Sequence, residues 1–377
     1  MSLEVGAYRH RAYMIRYLIV MSRTRGGPSV EGGRVTRLRE VKMFGRKRLV
    51  VTAVVSAAVV IGPVAQAEAV VDPHPILFQP GVPDPRPRFG VPVLWSAPEV
   101  VEDAPGVVGV AHRGASEYAP ENTLAAFRTA ASMGADMFEI DVQETKDHKL
   151  VLLHDSMLAR TTNVEEVFPK RKPWKVSDFT LAEVKRLDAG SWFGKRYSKE
   201  KVPTLPEVMR EMRSSGLGML VELKDPADYP GVEKRVAAAL RADAYWTRPD
   251  PSERTLVVQS FDWKSVRRFH ELMPDVPTAL IGKPKASKLS DHAGYADQIN
   301  PDHNGLTASY VEKVHAAGMD VLTWTVNDAA GMREVLGFGV DGVITDRPDV
   351  FRDVVRAAAG REAAHEAAHE AAHEAAA

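Results

Sequence analysis

The chain has 377 residues, 45% hydrophobic and 26% charged, with 49 Lys+Arg against 50 Asp+Glu and no cysteine. That composition can bury a full core and excludes wholesale disorder, while the length fits two domains or one large domain with appendages. The missing cysteine excludes a disulfide framework, a thiolate metal centre and a thiol nucleophile. Charge is unevenly spread: residues 1–48 hold twelve basic and three acidic residues, and residues 49–377 hold 37 basic and 47 acidic. An acidic main body lacks the basic surface that a nucleic-acid partner requires.

Along the chain, Arg46-Lys47-Arg48 precede the thirteen uncharged residues Leu49–Ile61, then Gly62, Pro63 and Ala65-Gln66-Ala67. A basic start, a short apolar run and a small-x-small site read as a secretory signal peptide over 43–67, cleaved after Ala67. Thirteen residues are too few to span a bilayer, so no stable membrane span is expected after cleavage. Met43 reads as the true start, and 1–42 as a mis-annotated N-terminal extension without a domain signal. Residues 68–106 follow as a Pro-rich linker or arm, with nine prolines between 68 and 105. The tail, 357–377, repeats Glu-Ala-Ala-His and sets His365, His369 and His373 on one face of a helix. Metal binding there is one reading, and a low-complexity Ala-rich helix is the simpler one.

The body, 107–356, alternates β-type runs with helical stretches, which predicts an α/β fold with a parallel sheet. The runs are Val107–His112, Met137–Val142, Leu150–His154, Met219–Lys224, Leu256–Asp262, Thr278–Ile281, Ala296–Pro301, Val321–Asn327 and Gly342–Asp346. The gap between Val142 and Leu150 is too short for a parallel crossover, so Leu150–His154 is expected to fold back as a hairpin. Eight runs remain over 250 residues, the size of a TIM (β/α)8 barrel, with 156–203 as a small inserted subdomain.

Active sites of such barrels gather at the strand C-termini. Here those ends carry His112-Arg113-Gly114, Glu139-Ile140-Asp141, His154-Asp155, Glu222-Leu223-Lys224 and Gln259-Ser260-Phe261-Asp262. Residues two apart on a strand share a face, so Glu139 and Asp141 point together while Phe138, Ile140 and Val142 point outward. With Glu222 they form a hard-oxygen set suited to a divalent cation, Ca2+ or Mg2+. His112 and His154, expected on neighbouring runs, suit general acid–base catalysis. Arg113 offers a fork for phosphate. Glu121-Asn122-Thr123 read either as helix capping or as positioning groups. Phe261, Trp324 and Trp192-Phe193 read as walls for a substrate or as plain packing.

These pieces, together with Trp324-Thr325-Val326-Asn327, Thr345-Asp346-Arg347-Pro348 and Ala189-Gly190-Ser191-Trp192-Phe193-Gly194, resemble the glycerophosphodiester phosphodiesterase family in order and position. The resemblance covers roughly 107–355. It implies a TIM barrel that hydrolyses glycerophosphodiesters, as small-molecule substrates, to glycerol 3-phosphate and an alcohol. It implies a divalent ion on Glu139, Asp141 and Glu222, His112 and His154 as the acid–base pair, and Arg113 as a phosphate ligand. Lys224 resembles a further phosphate or metal-shell contact. One rival is a related barrel phosphodiesterase acting on phospholipid, lysophospholipid or a glycerol phosphate polymer. The lipid versions need an apolar approach, whereas the insertion is charge-rich at Lys170-Arg171-Lys172 and Lys195-Arg196. The other rival, a non-enzymatic phosphate-binding barrel, would lack one of the five central side chains, and all five are present.

Overall fold

In the computed structural model, the described residues are 106–247 and 256–375, with side chains described as far as 361. The expected signal peptide, the 1–42 extension and nearly all of the Pro-rich arm lie outside them. Nine strands form one sheet: β1 (Val108–Ala111), β2 (Met137–Glu144), β3 (Leu150–Leu152), β4 (Gly218–Leu223), β5 (Leu256–Ser260), β6 (Thr278–Ile281), β7 (Gln298–Asn300), β8 (Asp320–Thr323) and β9 (Gly342–Thr345). Eight of them pair in parallel around a closed ring, β1-β2-β4-β5-β6-β7-β8-β9, with β9 returning to β1. This is a TIM barrel. β3 pairs antiparallel with β2, Val142 opposite Leu152, as the short gap between them requires.

The two-residue period of the strands builds the site. Val110, Met137, Leu220, Val257, Ala279, Leu322 and Ile344 point inward and pack as one apolar layer. Two residues further along, the same face carries His112, Glu139, Glu222, Gln259, Ile281, Trp324 and Asp346. The apolar layer therefore closes the barrel beneath the chemistry. The alternate residues, among them Phe138, Ile140, Val142, Met219, Val221 and Val258, face outward into the shell where the surrounding helices pack. Several of these helices start on side-chain caps. Thr123 accepts the N–H of Ala126, Thr204 that of Glu207, and Asp262 those of Lys264 and Ser265.

The insertion has its own core, in which Leu158, Val164, Trp174, Val176, Phe179 and Leu187 bury against Val151 and Leu153 of the hairpin arm. The last helix runs from Pro348 to Ala375 and so takes in the Glu-Ala-Ala-His repeat.

Two expectations need correction. The runs ending in His112 and His154 are not neighbours: β1 pairs with β2 and β9, and β3 pairs only with β2, so β2 stands between them. The seventh barrel strand, β8, stops at Thr323: Trp324 adds one bridge to Asp302, and Thr325–Asn327 lie outside the ladder. Among the described residues, no helix is long and apolar enough to cross a membrane.

Candidate active site

Asp141 and Glu222 are direct register partners on adjacent parallel strands, and Glu139 lies one inward position earlier on β2. One carboxylate oxygen from each falls within 4.8 Å of the others, and all three side chains are buried. Burial, and then the charges of Asp141 and Glu222, push the Glu139 carboxyl well above its ordinary range. Burial and Asp141 likewise raise Glu222, to about 7. Burial also opposes the charge on Asp141, but Arg113, Lys224, His154 and the Asn122 amide outweigh it and hold its pKa low. Three buried acceptor-only groups converging in this way match the oxygen-donor set of a hard divalent cation.

Cationic groups surround this cluster. Lys224 Nζ lies 2.8 Å from Glu222 Oε1 and 3.7 Å from Asp141 Oδ1. Burial opposes its charge, yet Glu222 and Asp141 raise its pKa above the ordinary lysine value. Arg113 donates its backbone N–H to Glu139 Oε2 at 2.8 Å, and its Nε lies 3.4 Å from Asp141 Oδ2. Its backbone has φ 55, and the following Gly114 has φ 82. A Cβ at Gly114 would come within 2.6–2.9 Å of Ala126 Cβ and backbone, so this tight turn requires glycine. Asn122, also at φ 55, donates Nδ2–H to Asp141 Oδ2 at 2.8 Å and accepts the Asp141 N–H at 3.1 Å. The Glu121-Asn122-Thr123 segment thus does both jobs: Thr123 caps the helix, and Asn122 and Glu121 face the site.

Each histidine is anchored through Nδ1. His112 Nδ1 lies 2.6 Å from Asp346 Oδ1, and His154 Nδ1 lies 2.8 Å from Asp155 Oδ1. A carboxylate only accepts, so each Nδ1 carries a proton and each Nε2 is left for chemistry. Burial opposes ionisation of Asp346, but His112, Ser116 and Asn327 hold its pKa down at about 2. Arg160, ahead of His154, sets Asp155 at about 2. Burial is the main reason the His154 pKa is lowered, which keeps a neutral imidazole available near neutral pH.

A pocket at the strand C-termini brings together His112, Arg113, Glu139, His154, Glu222, Lys224, Phe261 and Trp324. Asp141 is not among its lining residues and is 1% exposed. Phe261 and Trp324 meet edge to face at 5.7 Å, and Phe261 is 55% exposed at the rim. Trp192 and Phe193 are elsewhere: in the insertion Trp192 meets Phe193 edge to face, Phe193 meets Tyr197 in the same way, and neither lines the pocket. The walls expected from them are therefore supplied by Gln259, Ile281 and Thr325. Gln259, which the sequence offers as part of a strand-end run without a role, is marked by its inward position two residues past Val257. Its Oε1 accepts from Asn300 Nδ2 at 2.8 Å, which turns its amide N–H groups away from Asn300. Asp346, Asp155 and Arg160 were likewise given no role.

A carboxylate cluster, two anchored imidazoles and an Arg–Lys pair at the mouth of a closed parallel barrel are the groups that phosphodiester hydrolysis requires. Residues 112–350 match the glycerophosphoryl diester phosphodiesterase family, and the chain belongs to it. It is 39% identical over 245 residues to the Bacillus subtilis protein YhdW, covering 64% of this chain and 94% of that one. It is 37% identical over 262 residues to a glycerophosphodiester phosphodiesterase of the same organism, covering 66% and 86%. Among solved structures, it is similar to an Oleispira antarctica phosphodiesterase in complex with the product sn-glycerol-3-phosphate. That match has a TM-score of 0.57 and 30% identity, and covers 66% of this chain and 97% of the other.

Proposed function

We propose that this chain is a secreted, divalent-cation-dependent glycerophosphodiester phosphodiesterase that releases glycerol 3-phosphate and an alcohol. The observation that carries the reading is one pocket holding two Nδ1-anchored imidazoles beside three converging carboxylates, Arg113 and Lys224. Glu139, Asp141 and Glu222 would hold the cation, Ca2+ or Mg2+. When bound, it supplies Lewis acidity and neutralises charge on the phosphodiester.

The chain's own residues do the rest. Arg113 and Lys224 bind the non-bridging phosphate oxygens and stabilise the charge that builds there. Nε2 of one histidine takes the proton from the attacking O–H as the new P–O bond forms, either of water directly or of the substrate's glycerol, in which case a water then opens the cyclic phosphate to glycerol 3-phosphate. Nε2 of the other gives a proton to the leaving alkoxide as the old P–O bond breaks, so protons balance over the cycle. Asp155 and Asp346 hold the two rings in the required tautomer. The Phe261–Trp324 edge borders the carbon part of the substrate. Export rests on the basic, apolar and small-residue pattern of 46–67.

The test incubates the protein from residue 68 onward with glycerophosphocholine and measures glycerol 3-phosphate, with chelator and with added Ca2+ or Mg2+. Cation-dependent glycerol 3-phosphate is expected. Choline phosphate would mean that the other ester bond is cut. Full activity after exhaustive chelation would remove the cation from the mechanism. Silence on glycerophosphodiesters alongside turnover of lysophospholipid or a glycerol phosphate polymer would transfer the site to those substrates. For export, the protein should appear outside the cell with Glu68 as its first residue; retention inside refutes it.

A further inference from the structure

Arg160 lies in the insertion, five residues beyond Asp155, with its side chain 42% exposed. It makes four hydrogen bonds, all to two carboxylates. Nε and Nη2 fork onto Asp155 at 2.6 and 3.0 Å. Nη1 and Nη2 fork onto Glu121 at 2.7 Å each. Each carboxylate then touches a group that lines the pocket. Asp155 Oδ1 holds His154 Nδ1 at 2.8 Å, and Glu121 Oε1 accepts from Arg113 Nη1 at 3.1 Å.

We propose that Arg160 is a positioning residue that fixes the His154 ring and the Arg113 guanidinium in one geometry through Asp155 and Glu121. The inference rests on the function proposed above. A planar guanidinium that forks onto two carboxylates at once fixes their mutual orientation, which a point charge cannot do. Without it, Asp155 and Glu121 lose their shared counter-charge. Glu121 is then free to fork onto Arg113 and neutralise the cation meant for phosphate, and Asp155 is free to turn away from His154. Arg160 is also the largest cause of the low Asp155 pKa, about 2, which keeps the ring's partner ionised. The insertion thereby contributes to the chemistry without entering the pocket. Exposed ion pairs contribute little to folding, so a purely structural account predicts almost no effect on turnover.

The test compares wild type with Arg160→Ala and Arg160→Lys. In both variants kcat should fall about 10–100-fold, as when partners that orient active-site groups are removed. KM should move less than kcat, and thermal stability should hold. Added guanidinium should restore at least fivefold of the lost kcat in Arg160→Ala, and none in His154→Ala. A second readout needs no substrate: the downfield ring N–H proton of His154, assigned by its absence in His154→Asn, should shift or broaden in Arg160→Ala. A kcat within fivefold of wild type, a loss that guanidinium leaves untouched, full activity in Arg160→Lys, or an unchanged His154 resonance overturns the proposal. Because the resonance is read without substrate, a wild type that hydrolyses no glycerophosphodiester would sink the proposed function and leave this test decisive.

Discussion

Asp346 is the place where a one-atom change separates orientation from folding. Its Oδ1 accepts from His112 Nδ1 at 2.6 Å and Ser116 Oγ at 2.8 Å, and its Oδ2 accepts from Asn327 Nδ2 at 2.6 Å. Asn327 cannot flip, because its Oδ1 already accepts from the Asp346 N–H at 2.9 Å and Thr345 Oγ1 at 3.1 Å. In Asp346→Asn the new amide has one acceptor and one donor end. If its oxygen stays on Asn327, its NH2 faces His112 Nδ1, and the ring proton moves to Nε2, which blocks that nitrogen as a base and leaves an imidazolium without the carboxylate that would support it as an acid. If its oxygen stays on His112, two NH2 groups face each other across the Asn327 contact. The first arrangement removes one member of the acid–base pair, a contribution of about 10²–10⁴ in rate, or roughly 3–5 kcal/mol of barrier. The second removes a charge-assisted hydrogen bond, about 1–3 kcal/mol of stability. Steady-state release of glycerol 3-phosphate gives kcat and KM, and calorimetry gives Tm. The expected result is kcat down at least 100-fold with KM little changed and the fold intact. A folded variant with kcat within tenfold of wild type would refute the role given to the Asp346–His112 pair.

His112→Ala and His154→Ala should each remove turnover while the circular dichroism spectrum stays native; more than a tenth of wild-type kcat in either excludes that histidine from proton transfer. Gly114→Ala should cost more than 2 kcal/mol in urea unfolding, since the new methyl meets Ala126 at 2.6–2.9 Å on a backbone with φ 82. A loss below about 0.5 kcal/mol would show that the turn relaxes freely. Acid should also weaken the fold. Asp155 and Asp346 are depressed to about 2, so their contribution is present above the unfolded value near 4 and is lost as pH falls toward 2. Unfolding midpoints measured at pH 4.5 and 2.5 should therefore drop, and drop less in Asp346→Asn; equal drops would remove Asp346 as a cause.

Strand periodicity made much of this site legible before any coordinates. In Val110/His112, Met137/Glu139/Asp141 and Leu220/Glu222/Lys224, an apolar inward residue is followed by polar ones at two-residue steps. That pattern reports both the buried face and the end of the strand at which the floor stops. The short link before Leu150 likewise forbade a parallel crossover. Periodicity is silent where the chain leaves the ladder. Arg113 and Asn122 adopt φ 55 in a loop, and nothing in their spacing reveals that Asn122 pairs with Asp141 in both directions. The carboxylate partners of the histidines arise differently, Asp155 by direct adjacency and Asp346 from 234 residues further along the chain, across the β9–β1 closure. Arg160 has no strand to give it a face. Trp192 and Phe193 carried an aromatic signal without a direction, and the insertion uses them on each other.

The carboxylate cluster should also set function against stability. Three acidic ligand atoms within 4.8 Å of one another strain the metal-free fold, and a cation relieves the strain. Glu139→Gln isolates this effect. The amide oxygen can still accept the Arg113 N–H that Glu139 Oε2 accepts at 2.8 Å, so the shape survives while the group whose charge burial and its neighbours disfavour becomes neutral in folded and unfolded chain alike. In chelator the variant should melt above wild type, by roughly 2–4 °C for each kcal/mol of repulsion removed. With Ca2+ present the order should reverse, because a ligand that binds only the folded state raises Tm by mass action, and the variant has lost one ligand charge. A glutamate kept only for packing or hydrogen bonding would lower Tm in both conditions when replaced. Differential scanning fluorimetry with chelator and across a Ca2+ series reads both signs. A Glu139→Gln protein that melts below wild type in chelator would show that Arg113 and Lys224 already compensate the cluster, and that no cation is needed to hold these three side chains together.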